Sequence, residues 1–165
     1  MSSYQHLGEI LATKHLEGTP KFAQSHQRRR GAKGVGIRYE EKVQKDFSER
    51  FGAFYIPGPW FAYQTEATGG RWNYAQPDGL LFDFKSGLLT IVEIKYSHCA
   101  EAYFQLVDKY LPLMRHFLGT ELWRFATVEV VYWYDRAVSF PCEVKLRKEI
   151  TLCQPRELGV HICRP

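Results

Sequence analysis

The sequence predicts an α/β fold with a mixed central sheet flanked by helices, and three observations lead to this prediction. The 165 residues include 45% hydrophobic and 15% aromatic side chains, which is enough apolar surface for the core of one domain. Helical and β patterns follow one another in the order helix, strand, two paired strands, helix, strand. The segment LLTIVEIK (88–95) is almost continuously apolar, which is typical of a strand buried on both faces.

The first core helix is predicted over residues 38–52, ending at Gly52, a common helix stop. Ahead of it, the sequence predicts a short helix over 3–16 and a flexible linker over 17–36. Four apolar side chains recur at every fourth position of the core helix and form one stripe: Tyr39, Val43, Phe47 and Phe51.

The strands follow from β-prone and turn-forming segments. WFAYQTE (60–66) predicts a strand that follows the turn IPGP and precedes a loop over 67–75. GLLFDF (79–84) and LLTIVEIK (88–95) predict a hairpin that turns at Lys85-Ser86-Gly87. The near-continuous apolar run of the second hairpin strand suggests that this strand is buried on both faces.

The second half predicts one long helix and one long strand. The helix covers about 100–118, and Pro112 is expected to kink it or to limit its first half. WRFATVEVVYWYD predicts a strand over about 123–134, and shorter β candidates lie near 137–146, 150–154 and 158–163.

Charge divides the chain into a basic N-terminal arm (1–35) and a single domain (36–165) with a β-rich C-terminal extension. Seven basic and two acidic residues occupy positions 1–38, although the formal net charge of the whole chain is only +4. A basic arm of this kind favours a polyanionic partner. Within the arm, the phosphate-binding candidates are Arg28, Arg29, Arg30 and Lys33.

Targeting signals are not evident. No apolar run reaches the length of about 18 residues that a membrane span requires, and MSSYQHLGEI lacks the pattern of a signal peptide. A cytoplasmic protein without membrane association is therefore expected. In that compartment the four cysteines are expected to be reduced thiols.

The open end of the predicted hairpin combines two acids and one lysine. With the turn at 85–87, facing residues sum to about 172, so Asp78 lies opposite Ile94 and level with Glu93 and Lys95. Glu93 and Lys95 are two residues apart and point to the same face. Buried charges at a sheet edge are costly unless they are paired or bind an ion. Mg²⁺ binds such carboxylates and carbonyl oxygens, including the carbonyl of Ile94.

These residues resemble the PD-(D/E)XK nuclease superfamily. Pro77-Asp78 is followed after 14 residues by Glu93-Ile94-Lys95, which is similar to the Pro-Asp and acid-x-Lys pattern of that family. The resemblance covers residues 36–134 and implies the restriction-endonuclease-like fold with an αβββαβ core. It also implies a site in which Asp78 and Glu93 hold the metal while Lys95 assists the nucleophile.

Two further positions fit the resemblance. Gly36-Ile37-Arg38-Tyr39-Glu40 resembles the Gly-x-x-x-Glu of Holliday-junction resolvases, and either Glu40 or Glu41 is the candidate acid. Glu40 is favoured because it lies about 40° from the centre of the apolar stripe, whereas Glu41 lies about 140° away. Gln105 and Tyr110 resemble a Gln–Tyr pair of exonuclease-type members, with a spacing one residue wider. Tyr110 is equally consistent with helix core.

The sequence therefore predicts a Mg²⁺-dependent DNA nuclease, with Mn²⁺ able to substitute, and leaves endonuclease, exonuclease and self-association open. Arg71, after Gly69-Gly70, is a further phosphate-binding candidate, and the nearby Trp72 and Tyr74 can either stack on bases or cover the sheet edge. A phage or mobile-element origin fits the compact size. The alternative is an inactive nucleic-acid-binding or assembly protein on the same fold.

Two other residue sets are weaker candidates. The cysteines and histidine at 142, 153, 161 and 163 lack the spacing of a compact zinc finger, so core thiols are favoured. His98-Cys99 does not predict a nucleophilic pair, since a reactive thiol needs a lowered pKa.

Overall fold

The structure is a computed structural model that describes residues 7–23, 32–97, 99–133, 145–147 and 160–163. It is mixed α/β, as predicted, with a six-stranded and a three-stranded sheet. The strands and helices of the described residues are β1 (Ile10–Leu16), α1 (Ala32–Phe51), β2 (Tyr55–Pro57), β3 (Trp60–Thr65), β4 (Asn73–Ala75), β5 (Gly79–Asp83), β6 (Leu88–Ser97), α2 (Ala100–Phe104), α3 (Leu111–Leu118), β7 (Arg124–Trp133), β8 (Lys145–Arg147) and β9 (Val160–Cys163).

The larger sheet has the strand order β2-β5-β6-β7-β9-β8. The hairpin strands β5 and β6 are antiparallel, whereas β6 and β7 are parallel, so the sheet is mixed. β6 lies inside the sheet, and Leu89, Ile91 and Val92 have no exposed surface. The expectation that this strand is buried on both faces is therefore confirmed.

The smaller sheet has the order β1-β3-β4 and corrects three sequence predictions. Residues 10–16 form a strand antiparallel to β3, so the helix predicted over 3–16 is wrong there. Residues 73–75 form β4, although a loop was predicted. The predicted strand at 60–66 exists as β3 but belongs to this second sheet and not to the central one.

Pairing explains why β1 escaped prediction. Ile10 and Leu7 have the spacing of a helical stripe, but two or three apolar residues specify a helix weakly. The open edge of β3 offers a row of backbone partners, and β propensity depends strongly on such context. Ile10 and Leu7 instead pack against the core that lies between the two sheets and the helices.

α1 packs on one face of the larger sheet. Tyr39, Val43 and Phe47 are buried against Val92 and Ile94, which confirms the predicted stripe. The helix ends at Phe51, and Gly52 has φ of 55°, a left-handed conformation that favours glycine at a helix end.

The opposite face is covered by helical residues 100–118, which connect β6 to β7. A π-helical segment, Gln105–Tyr110, separates α2 from α3. Pro112 has no N–H, and its ring crowds the carbonyl of Asp108 four residues earlier. The π-helical segment lies across Asp108, so the irregularity expected at Pro112 takes the form of a widened turn.

The C-terminal region contributes β8 and β9 to the larger sheet. These strands fall within the β candidates at 137–146 and 158–163, although Arg147 extends one residue further. The candidate at 150–154 and the basic triplet Arg28–Arg30 lie outside the described residues. Among the described helices, none combines the length and the apolar character that crossing a membrane would demand.

Candidate active site

The hairpin register sets Asp78 at the open end of β5 and β6. Gly79 pairs with Val92, and Leu80 pairs with Ile91. Asp78 directly precedes β5 and is therefore level with Glu93, one residue from the expected position opposite Ile94. The reason is that β5 ends at Asp83 and β6 begins at Leu88, so the turn occupies four residues instead of three.

The carboxylate of Asp78 binds the backbone of β6 between the two other charged residues. Its Oδ2 accepts a hydrogen bond from the N–H of Ile94 at 2.6 Å. Within a strand, the N–H and the carbonyl of one residue face the same neighbour. The carbonyl of Ile94 therefore also points toward the Asp78 edge, where the sequence analysis expected a metal ligand.

Glu93 and Lys95 form an ion pair at the same end of β6. Lys95 Nζ lies 2.7 Å from Glu93 Oε1. The Glu93 side chain is almost fully buried, and its Oε2 has no hydrogen-bond partner among the described residues. A buried carboxylate oxygen without a donor is costly, which is the situation that a bound cation would relieve.

The main chain of Asp78 is held by three donors from neighbouring elements. Its carbonyl accepts hydrogen bonds from Gly58 N at 2.9 Å, Gln44 Nε2 at 3.0 Å and Tyr55 Oη at 3.3 Å. The ring of Tyr55 also occupies the space in which a Cβ on Gly79 would lie. Only glycine after Asp78 lets this ring approach, so the Pro-Asp-Gly segment has a structural reason for its third residue.

α1 contributes Glu40 to the same region. Gln44, which binds the carbonyl of Asp78, also donates to Glu40 Oε1 at 3.3 Å. Glu40 is partly buried, whereas Glu41 is exposed. Of the two acids that the sequence left open, Glu40 is therefore the one that faces the site.

The pKa values of the charged groups at this site are shifted by burial and by one another's charges. Burial and the charge of Glu93 raise the pKa of Asp78 from 3.8 to about 7. Burial and the charge of Asp78 raise the pKa of Glu40 from 4.5 to about 7. Burial also raises the pKa of Glu93, although Lys95 opposes this change. Burial lowers the pKa of Lys95, but Glu93 outweighs it, so the ammonium form is favoured.

The acids fit a Mg²⁺ site with two protein carboxylates. No group of three or more His, Cys, Asp or Glu side chains that could hold a metal is found in the part of the chain that the structure describes. Mg²⁺ commonly uses one or two carboxylates and completes its shell with water and phosphate. The donor-free oxygen of Glu93 and the adjacent Asp78 match that pattern, while Glu40 fits a contact through water.

The π-helical segment places Gln105 and Tyr110 one turn apart. In a π-helix the backbone hydrogen bond spans five residues, so these residues share a side despite their wider spacing. Tyr110 is buried and donates a hydrogen bond to the carbonyl of Gln76 at 3.0 Å, two residues before Asp78. Gln105 Oε1 is buried and has no hydrogen-bond partner among the described residues.

One acid of this region, Glu129 on β7, was not predicted from the sequence. Glu129 is the register partner of Glu93 and has no exposed surface. Burial raises its pKa to about 8, although the N–H of Cys99 and the charge of Lys95 oppose this change. The signal was present in the sequence, because Glu129 is the one acid within the apolar strand VEVVYW.

Other charged residues lie elsewhere. Asp83, the last residue of β5, is at the opposite end of the hairpin. Arg71 is exposed, and its Nε donates to the carbonyl of Thr68 at 3.4 Å. Lys33 lies in the first turn of α1.

The thiol and zinc candidates are only partly described. Cys99 is a free thiol whose pKa is raised by burial, which argues against a nucleophile. His161 and Cys163 lie on β9, while the other members of these two sets, His98, Cys142 and Cys153, lie outside the described residues.

Comparison with models of known protein families, with curated proteins and with solved structures gave no match.

Proposed function

We propose that this chain is a Mg²⁺-dependent nuclease of the PD-(D/E)XK superfamily that hydrolyses phosphodiester bonds in DNA. One observation carries the proposal. The carboxylate of Asp78 binds the N–H of Ile94, between Glu93 and Lys95, although 16 residues separate the two partners. A short pattern that arises by chance does not require its residues to converge in space, whereas these residues do.

The order of elements around the site supports a restriction-endonuclease-like core. α1, the β5–β6 hairpin, the helical residues 100–118 and the parallel strand β7 follow in the order that the resemblance implies. The chain departs from that pattern at β2, a three-residue strand beside β5, and at the second sheet. These departures lie outside the hairpin that carries the motif.

Each residue then has a distinct role. Asp78 and Glu93 would hold Mg²⁺ with the carbonyl of Ile94, and Glu40 would reach it through water. The bound cation would supply charge stabilisation to the phosphate and a more acidic water. Lys95, held as an ammonium by Glu93, donates hydrogen bonds to the attacking water or the phosphate. Gln105 orients the same water or phosphate through its amide.

DNA is the proposed partner, and the basic arm the proposed non-specific contact. Arg28, Arg29, Arg30 and Lys33 would neutralise backbone phosphates without reading sequence, and Arg71 would add one contact. A cytoplasmic location and a phage or mobile-element origin belong to the same proposal.

The test is cleavage by purified Glu93→Ala and Lys95→Ala variants. Linear, circular, single-stranded and branched DNA are incubated with Mg²⁺, Mn²⁺ or chelator. Wild type should cleave at least one substrate with metal, and both variants should lose about a thousandfold in rate while still unfolding cooperatively and binding DNA. Full cleavage by both variants would refute the assignment.

The rival is a binding or assembly protein that has the fold but no catalysis. The ion pair of Lys95 with Glu93 favours it, because the ammonium already balances a buried carboxylate without a metal. Isothermal titration with Mn²⁺ separates the two, because heat that disappears in Asp78→Asn supports the nuclease. Salt-sensitive DNA binding without metal binding would support the rival.

A further inference from the structure

The outer face of the smaller sheet carries a group of exposed aromatic residues. Register places Lys14, Ala62 and Tyr74 side by side across β1, β3 and β4, on the face opposite the core residues Phe61 and Tyr63. Three more rings lie next to this row. The aromatic face consists of Phe22, Trp60, Trp72 and Tyr74, with Lys14.

The rings contact one another and remain accessible. Phe22 lies 4.8 Å from Tyr74 and 5.9 Å from Trp60, measured between ring centroids. Phe22 is 60% exposed, and Trp72 and Tyr74 are each 41% exposed. Large apolar rings in contact with water on a sheet face are unusual unless they bind a partner.

The charged side chain that contacts the aromatic face is a lysine, which suits an anionic partner. Lys14 Nζ lies 4.3 Å above the ring of Trp72, so an ammonium and a stacking surface are combined. Lys21 and Arg71 are exposed and directly adjoin Phe22 and Trp72 in the chain. The nearby acids lie outside the strands, at their ends: Glu9, Glu17 and Glu66.

Chain continuity links the aromatic face to the proposed active site. Tyr74 lies four residues before Asp78, so their Cα atoms are within about 14 Å. The hydrogen bond from Tyr110 to the carbonyl of Gln76 fixes the segment between them. A DNA strand with one phosphate at Asp78 can therefore place its neighbouring bases on Tyr74 while it stays bound along the protein surface.

We propose that the aromatic face binds unpaired bases of single-stranded DNA beside the cleavage site. This proposal rests on the proposed nuclease function and narrows its substrate to DNA with a single-stranded segment. Stacking on aromatic side chains suits single strands, since duplex bases already stack on one another, and it tolerates any sequence. Lys14 would pair with the backbone phosphate between two stacked bases.

The test is binding of fluorescein-labelled oligothymidylate to the full chain in EDTA, measured by anisotropy. Tyr74→Ala and Trp72→Ala should each weaken binding about tenfold, and affinity for a blunt duplex should change less than twofold. Tyr74→Phe keeps the ring and should bind like wild type. The matched control is Phe84→Ala, which removes a 64% exposed ring at the far end of the hairpin and should change neither affinity.

Three outcomes are decisive. Equal losses in Tyr74→Ala and Phe84→Ala, or none in either, would overturn the proposal. So would a wild-type dimer that Tyr74→Ala converts to monomer in sedimentation velocity, because the face would then bind a second copy. If oligothymidylate binding depends on Tyr74 but no DNA is cleaved by wild type, the nuclease function fails and the aromatic face stands.

Discussion

Asp78 and Asp83 border the same short strand, β5, yet their surroundings give them opposite chemistry. Asp78 is held against the backbone of Ile94, and burial together with Glu93 raises its pKa to about 7. Asp83 accepts hydrogen bonds from Ser86 and Lys85 in the turn, and the Ser86 hydroxyl contributes most to lowering its pKa. Asp83 caps a solvent-exposed turn, whereas Asp78 lies beside other charged side chains at the open end of the hairpin.

The end of the hairpin at which an acid lies therefore decides its role. At the turn, backbone N–H groups are free to donate to a carboxylate, which is an ordinary aspartate turn. At the open end, the partners of Asp78 are other charged side chains brought in by β6 and α1. Carboxylates whose pKa values are raised by burial and by neighbouring acids cluster at functional sites.

The largest difference between the two acids is expected when each of them is neutralised separately. Asp78→Asn should lower metal-dependent DNA cleavage on the order of a thousandfold, because a carboxylate ligand is lost. Asp83→Asn should leave the rate within twofold. Initial rates at saturating Mg²⁺ measure both, and equal rates in the two variants would contradict the distinction.

A second measurement follows the pH dependence of stability without divalent metal. The raised pKa values of Asp78 and Glu40 mean that the unfolded state ionises first, so the free energy of unfolding should fall as pH rises from about 4 to about 7. The contribution of Asp83 to stability changes with pH in the opposite direction, because it is lost as pH falls through the lowered pKa of this acid. Urea unfolding at several pH values measures the slope.

In that measurement Asp78→Asn should flatten the decline, and Asp83→Asn should not. Mg²⁺ should raise the melting temperature more at pH 8 than at pH 5, because it binds the ionised acids of the folded state. If the free energy of unfolding of the wild type increases steadily from pH 5 to pH 8 without metal, the raised pKa values of Asp78 and Glu40 are wrong.

The smallest effects are expected for substitutions of Gly79 and Gly87, which lie at opposite ends of the hairpin. Gly79→Ala brings a Cβ into the ring of Tyr55 and should destabilise by about 1–3 kcal/mol. Gly87→Ala strains a residue with φ of 63° and should cost about 1–2 kcal/mol. Only Gly79→Ala should also reduce cleavage, since Tyr55 binds the carbonyl of Asp78. Loss of cleavage in both variants at equal stability would show that the turn matters too.

Local pattern was sufficient for some elements and failed for others. The stripe of α1 and the apolar run of β6 predicted both elements, because periodicity reports burial directly. β1 was predicted as helix, since its pairing with β3 has no trace in a short mixed segment. The register of the hairpin was off by one because the turn length, not the charge pattern, sets it.

By itself, the sequence determined the acid, acid, lysine spacing and the strands on which these residues lie, because side-chain alternation along a strand is a local property. The tertiary structure was needed to bring Glu129 beside Glu93 and to set the hydroxyl of Tyr110 against the carbonyl of Gln76. These relations join elements distant in the chain, and their geometry comes from packing, which no local pattern encodes.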